Sequence, residues 1–195
     1  MSKQRQPQAT ARERILDAAD ELFYYDGIAV TSIDAVVAHA QVAIGSVYNH
    51  FGSKDGLVEA YLRRRDHLWR STWEHAVADA ATANDRVLAI FDALLTWCAE
   101  RGGQRGCAHS AGLQQLPADH PGAAVARNHK KHIRHRLAEL ASEAGRPHVT
   151  DSVVIIYEGA LASLMVTNNS RTAITRARQL ARATIIATDA PGARD

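Results

Sequence analysis

The sequence is poor in the features that mark secreted, membrane-bound and metal-thiolate proteins. Its 195 residues include only two cysteines, Cys98 and Cys107, so neither a disulfide framework nor a four-thiolate metal site can form within one chain. The longest strongly apolar run, 153–166, is interrupted by Glu158 and is too short to span a bilayer. The polar N-terminus has no apolar signal core. We therefore expect a cytoplasmic protein.

The sequence also has little net charge, only +2, which by itself says little about a nucleic-acid partner. Residues 1–56 contain five lysines and arginines against seven acidic residues. A DNA-binding surface would require Lys54 and the basic N-terminus on one side and the acidic residues of the first helix elsewhere. The run Arg63-Arg64-Arg65 could lie near DNA, but a charge run on a long helix usually indicates a solvated face.

Helical periodicity is the dominant pattern of the chain. Apolar residues recur at helical spacing, alternate nowhere for long, and form no internal repeats. The pattern predicts an all-α protein of about nine helices, at about 10–26, 32–40, 44–51, 53–80, 84–101, up to 115, 123–144, from 150 and 172–188.

Residues 31–57 have the shape of a helix-turn-helix. Ser32 can accept from the free amides of a first short helix, whose apolar face is Ile33, Val36, Val37 and Ala40. The inward side of a second helix would consist of Ile44, Val47, Tyr48 and Phe51. Its outward side would consist of Gly45, Ser46, Asn49 and His50. An asparagine can pair with adenine in the major groove. Ser53 caps the third helix, where Lys54 lies beside free amides that attract phosphate.

This stretch resembles the DNA-binding domain of the TetR family of bacterial transcriptional regulators. The matching residues are Thr31-Ser32, the segment Val42-x-x-Gly45-Ser46-Val47-Tyr48-x-His50-Phe51, and Ser53-Lys54-Asp55-x-Leu57. The DNA-contacting positions that the resemblance implies are Thr31, Ser32, Gly45, Ser46, Tyr48, Asn49, His50 and Lys54. We expect four parts along the chain: a disordered basic arm (1–8), a helix-turn-helix domain (9–55), a ligand-binding and dimerisation domain (56–190) and a tail (191–195).

Two residues depart from the family pattern. Gln41 replaces the usual turn glycine, so a left-handed conformation there would cost about 1 kcal/mol. Ala43 replaces the usual serine cap of the second helix.

The last two helices predict a homodimer. The helix that begins near Thr150 has almost no polar side, and the last helix carries small and apolar residues on one face: Ile174, Ala177, Leu180, Ala181, Thr184 and Ile185. One monomer has too few other helices to cover both surfaces, so we expect a four-helix interface with a second copy.

The family resemblance also implies an effector cavity in the C-terminal bundle. Candidate lining residues are Trp69, Trp73, Phe91, Trp97, Cys107, His109, Leu113, Tyr157, Met165 and Asn168. Aromatic residues at helical spacing are also typical of an ordinary core. We expect small apolar or aromatic effectors.

Histidine and cysteine residues suggest two further hypotheses, which we weigh against simpler ones. A metal site is suggested chiefly by His129, His132 and His135 on one helix, with Cys107 and His109 as further ligands if they lie nearby. His129 and His132 could share a metal, but three residues at this spacing spread over a wide arc of the helix. The neighbouring cations would also repel a metal ion: Lys130, Lys131, Arg134 and Arg136. We therefore expect a solvated basic face, no metal and no cofactor.

Cys107 could act as a nucleophile with His109, but no Gly-rich oxyanion turn or paired carboxylates accompany it. We expect no enzyme.

The sequence thus predicts a sequence-specific DNA-binding regulator, a ligand-released repressor that binds a palindromic operator as a dimer. The second helix of the motif contains no arginine or lysine, so shape and phosphate contacts should contribute much of the affinity. The alternative is a helical small-molecule-binding or enzymatic dimer that does not use DNA.

Overall fold

The computed structural model describes residues 9–167 and 169–187, and this part of the chain folds into α-helices with no β-strand. The helices are α1 (Ala11–Tyr25), α2 (Ile33–Ala40), α3 (Ile44–Phe51), α4 (Lys54–Ala78), α5 (Ala83–Arg101), α6 (Ala108–Gln115), α7 (Pro121–Glu143), α8 (Thr150–Ser163) and α9 (Ser170–Ala187). A 3₁₀ turn, Pro147–Val149, precedes α8. The predicted all-α class is confirmed, whereas the arm 1–8, Asn168 and the tail 191–195 lie outside the described residues.

Side-chain caps begin the N-terminal helices where the sequence predicts. Thr10 and Glu13 form a reciprocal capping box at α1. The Ser32 hydroxyl accepts from the Ala35 amide at 3.1 Å, and the Ser53 hydroxyl accepts from the Gly56 amide at 3.1 Å. Each cap satisfies an amide that has no partner within its helix.

Two helices begin earlier than predicted, because a side chain of the preceding loop caps the first turn of each one. α7 begins at Pro121 rather than near Ala123, since the His120 ring accepts from the Gly122 amide at 2.9 Å and proline suits the first helical position. α9 begins at Ser170 because the side chain of Asn169 accepts from the Thr172 amide at 3.0 Å.

The turn of the helix-turn-helix contains the predicted strain. Gln41 has φ 52° and ψ 51°, a left-handed conformation, and Arg14 donates to its carbonyl at 3.2 Å. Ala43 makes no side-chain cap at the start of α3. Both departures from the family pattern therefore have the consequence that the sequence predicts.

Two apolar clusters form the core. The first buries α1, α2 and α3 against the first half of α4, and it also includes Ala108 of α6 and Val125 of α7. The second lies among α4, α5, α7, α8 and α9 and contains Trp69, Trp73 and Phe91. Because the first cluster extends into α6 and α7, the helix-turn-helix shares its core with the C-terminal bundle. None of the described helices is long and apolar enough to cross a membrane.

The three consecutive arginines of α4 have three different environments. Arg63 is 66% exposed and pairs with Glu59 one turn earlier. Arg64 donates to Asp17 at 2.7 Å and to the Leu16 carbonyl of α1. Arg65 is only 4% exposed and donates to Asp20 of α1 at 2.9 Å. The expectation of a solvated face is therefore correct only for Arg63, because α1 packs over the other two.

We predict that Arg65→Met lowers the free energy of unfolding by about 3 kcal/mol, since it removes one partner of a buried pair and leaves Asp20 uncompensated. The matched change Arg63→Met should cost less than about 0.5 kcal/mol, as expected for an exposed pair. Chemical denaturation of the two variants measures both values. Equal, small losses would contradict the buried role of Arg65.

We also predict that Gln41→Gly raises the free energy of unfolding by about 0.5 to 1 kcal/mol, because glycine adopts the left-handed conformation without a Cβ clash. Gln41→Ala is the matched control and should leave stability nearly unchanged, since alanine keeps the clash. If the glycine variant is less stable than the alanine variant, the strain assigned to this turn is wrong.

Candidate functional site

The exposed side of α3 is the first candidate site. Val47 is fully buried and Phe51 half-buried, but Ile44 and Tyr48 are exposed. The prediction that these last two residues turn inward is wrong, because α1, α2 and α4 cover only the Val47 side of this eight-residue helix. Tyr48 is consequently available for the DNA contact that the family resemblance implies.

The small and polar residues of α3 lie where the sequence places them. Gly45, Asn49 and His50 are exposed, and Ser46 is half-buried. A Cβ at Gly45 would meet nothing within 4 Å, so the backbone there is open to close approach by another molecule. We call the side chains and backbone of Gly45, Tyr48, Asn49 and His50 the α3 surface.

The helices beside α3 contribute three further predicted positions. Ser32 is exposed at the start of α2, and Lys54 begins α4, with its ammonium 3.4 Å from the Ala29 carbonyl. Thr31 differs, because it is buried and its hydroxyl donates to the Gly27 carbonyl at 2.7 Å. Thr31 therefore orients the α1–α2 turn and is removed from the set of candidate DNA contacts.

Three acidic residues of α1 are occupied by ion pairs. Asp17 and Asp20 pair with arginines of α4, and Glu21 lies 3.0 Å from His39. Arg12, by contrast, is exposed, with its guanidinium 5.5 Å from the Phe51 ring at the end of α3. Arg12 is a cation near α3 that the sequence motif did not indicate, since only the packing of α1 places it there.

The second candidate site is a cavity between α4, α5, α6, α7 and α8. Five predicted lining residues surround it: Trp69, Trp97, Cys107, His109 and Tyr157. Its volume is about 30 Å³, enough for one or two water molecules. Burial raises the pKa of Tyr157 well above its usual value, so this hydroxyl stays neutral.

The other predicted lining residues lie elsewhere. Trp73 and Phe91 are fully buried in the second core cluster and are not among the residues that line the cavity. Leu113 is exposed on α6. Met165 lines two surface clefts that Ala111 of α6 also lines. Asn168 lies outside the described residues. The structure thus divides the predicted set between cavity, core and surface.

Arg65 and His129 line the cavity although the sequence did not indicate them as lining residues. The Arg65 guanidinium lies 4.5 Å from the centre of the Tyr24 ring and 5.2 Å from that of Trp97. Trp69 packs edge-on against Trp97 at 5.7 Å, and its buried indole nitrogen has no hydrogen-bond partner among the described residues. A buried cation and aromatic side chains therefore line the cavity, and one of these aromatic residues, Trp69, has an unused donor.

His129 links the cavity to a carboxylate. It is 3% exposed, so the expectation of a solvated histidine face is wrong here, and its Nδ1 lies 2.7 Å from Asp66 Oδ1. Burial alone would lower the pKa of His129, but Asp66 and Cys107 raise it above its usual value. Burial alone would likewise raise the pKa of Cys107, yet hydrogen bonds with His109 and His129 and the charge of Lys130 hold it well below.

Comparison with known families and proteins bears on both sites. Residues 15–61 match the family described as bacterial regulatory proteins, tetR family. The HTH-type transcriptional regulator BetI of Paraburkholderia phymatum is 35% identical over 81 residues, which are 40% of this chain and 41% of BetI. The HTH-type transcriptional repressor Rv3405c of Mycobacterium tuberculosis is 46% identical over 68 residues, 33% of this chain and 35% of that protein. The chain thus spans less than half the length of these relatives.

Solved structures match over a larger part of the chain. SCO4454, a TetR-family transcriptional regulator from Streptomyces coelicolor, is 25% identical with a TM-score of 0.79, covering 90% of this chain and 95% of its own. The multidrug binding protein EbrR, complexed with malachite green, is 24% identical with a TM-score of 0.69, covering 89% of this chain and 97% of its own. The similarity in fold therefore includes the C-terminal bundle.

Proposed function

We propose that this chain is a sequence-specific transcriptional regulator, because residues 15–61 match the tetR family and the fold is similar to that of SCO4454. It binds a palindromic operator in the cytoplasm as a homodimer, and a small effector releases it from the DNA. The observation that carries this proposal is the exposed α3 surface, in which a glycine with open space around it adjoins an exposed asparagine amide.

The α3 surface fits the major groove through small and polar groups. Asn49 can form a bidentate pair with adenine, and Gly45 lets the helix backbone approach the bases. Lys54, at the start of α4, and Arg12 supply positive charge for phosphates on either side. Two copies of α3 read successive major grooves when their centres lie about 34–36 Å apart.

Dimerisation through α8 and α9 is supported by the apolar side chains that one chain leaves uncovered. Ile155 is 70% exposed and Val166 is 88% exposed, and Leu180 and Ile186 are also exposed. The predicted single apolar face of α9 is correct for Ile174, Ala181 and Ile185, but Leu180 projects away from it. A second copy would cover these residues, since large apolar patches on monomers indicate interfaces.

Effector binding is supported by the aromatic walls and the unused Trp69 donor. EbrR binds the aromatic dye malachite green in the same fold, and the effector proposed here is a small apolar or aromatic compound. Such a compound needs more than the present 30 Å³, so it stabilises a conformation in which the lining residues have moved. Arg65 is one of these lining residues and donates to Asp20 of α1. Effector and operator therefore favour different arrangements of α1 and α4.

We predict that Lys54→Ala and Asn49→Ala weaken DNA binding in different ways. Loss of a phosphate contact should weaken binding to the upstream region of the gene and to a random duplex alike, and should reduce the salt dependence by about one charge. Loss of a base contact should cost about 1–3 kcal/mol on the upstream duplex only. Fluorescence anisotropy at several salt concentrations measures both effects.

The exposed residue Gln114 of α6 supplies the control, since Gln114→Ala should bind both duplexes as the wild type does. Absence of binding by the folded wild-type dimer to any duplex would refute the DNA function and favour a helical ligand-binding dimer. Identical behaviour of the Lys54 and Asn49 variants would refute only the division between phosphate and base contacts.

We predict that the double change Ile155→Glu and Leu180→Glu converts the dimer into a monomer, because two charges would be buried in an apolar interface. Size-exclusion chromatography with light scattering at micromolar concentration measures the mass. Leu113→Glu, an exposed apolar residue on α6, is the matched control and should remain dimeric. A wild-type monomer under these conditions would exclude the proposed interface.

A further inference from the structure

Three side chains with metal-binding atoms meet at one wall of the cavity. Cys107 precedes α6, His109 lies in its first turn, and His129 lies in the middle of α7. One ligand atom from each side chain lies within 4.8 Å of the other two. The fold therefore brings His129 of α7 to two residues at the start of α6 that lie at least twenty positions before it in the sequence.

Hydrogen bonds determine which ring nitrogen of each histidine is free to bind a metal. His129 Nδ1 lies 2.7 Å from Asp66 Oδ1, and His109 Nε2 lies 3.1 Å from the Leu62 carbonyl. A carboxylate and a carbonyl accept, so these nitrogens donate, which leaves His129 Nε2 and His109 Nδ1 for a ligand. A carboxylate or carbonyl behind a ligating histidine is the usual outer shell of a protein metal site.

Three of the four cations that would oppose a metal ion are paired with acids, and the fourth, Lys131, is exposed to solvent. Lys130 donates to Glu158 at 2.8 Å, Arg136 to Glu74 at 2.9 Å, and Arg134 to Asp151. Arg65, the cation that lines the cavity itself, is paired with Asp20. The repulsion expected from the sequence is therefore reduced by neighbours from α4, α8 and α1 that the sequence did not reveal.

We propose that Cys107, His109 and His129 bind a Zn²⁺ ion, with its fourth position open to the cavity. One thiolate and two imidazoles form a donor set suited to zinc, and three protein ligands plus one water is a common zinc arrangement. The cavity of about 30 Å³ holds that water. This inference goes beyond the proposed function and does not depend on DNA, because metal binding is measured on the free protein.

Binding requires one local movement. The rings of His109 and His129 are stacked, with centres 3.7 Å apart and planes 8° apart. A ligating nitrogen points its lone pair in the ring plane, so two parallel rings cannot both point at one ion. One ring must tilt when zinc binds. Trp69 and Trp97 line the same cavity, so their fluorescence should change with metal occupancy.

The test uses the full-length protein with Cys98→Ser, which leaves Cys107 as the only cysteine. Co²⁺ should produce a thiolate-to-cobalt charge-transfer absorption that saturates at one ion per chain and disappears on addition of Zn²⁺. Asp66→Asn should weaken Zn²⁺ binding by roughly 10- to 100-fold, as outer-shell changes do. Isothermal titration measures that affinity.

Variants separate this site from surface histidines. His129→Gln should abolish the stoichiometric binding, whereas His135→Gln, on the exposed side of the same helix, should leave it unchanged. Circular dichroism confirms that each variant is folded before titration. Absence of a charge-transfer band in the folded Cys98→Ser protein, or Zn²⁺ binding that survives His129→Gln, would overturn the proposal.

Discussion

One buried arginine joins the two halves of this protein. Arg65 donates to Asp20 of α1 at 2.9 Å, and its guanidinium lies within 6 Å of the ring centres of Tyr24, Tyr61 and Trp97. A charge removed from water is tolerated only when such partners surround it. The position of α1, and with it that of α2 and α3, is consequently tied to the wall of the cavity.

The contacts of Arg65 explain how a small molecule could influence DNA binding without touching α3. The first core cluster extends from α1 to α6 and α7, and Arg65 belongs to both the cavity wall and the α1 contact. His109 adds a second connection, since it bonds the Leu62 carbonyl of α4. A ligand that moves either side chain changes the relative stability of two arrangements of α1 and α4, which is the physical content of allosteric coupling.

Local chemistry made the N-terminal fold predictable from sequence. Thr10, Ser32 and Ser53 cap helices through contacts three residues away. The left-handed turn at Gln41 was implied by the family resemblance, since Gln41 occupies the position of the family's turn glycine. The orientation of α3 was predicted only in part. Val47 is buried and Asn49 exposed as its spacing indicates, but an eight-residue helix packed on one side leaves Ile44 and Tyr48 exposed.

Contacts between distant segments were not predictable in this way. Arg65 and His129 lie in charged runs that suggest solvated faces, but both are buried. Each pairs with a carboxylate from another helix: Arg65 of α4 with Asp20 of α1, and His129 of α7 with Asp66 of α4. Trp73 and Leu113 have the residue types of a ligand wall, yet one belongs to the core and the other to the surface. Helical spacing predicts the face of the helix on which each residue lies, but it does not identify which other helix packs against that face.

We propose that two copies of α3 read one duplex in successive major grooves. Selection of bound sequences from a random duplex library tests it most directly, because the enriched sequences report both recognition and geometry. We expect two inverted half-sites whose centres are separated by about 10 base pairs or a multiple of one helical turn. Recovery of no enriched sequence, or of a single half-site without an inverted partner, would contradict it.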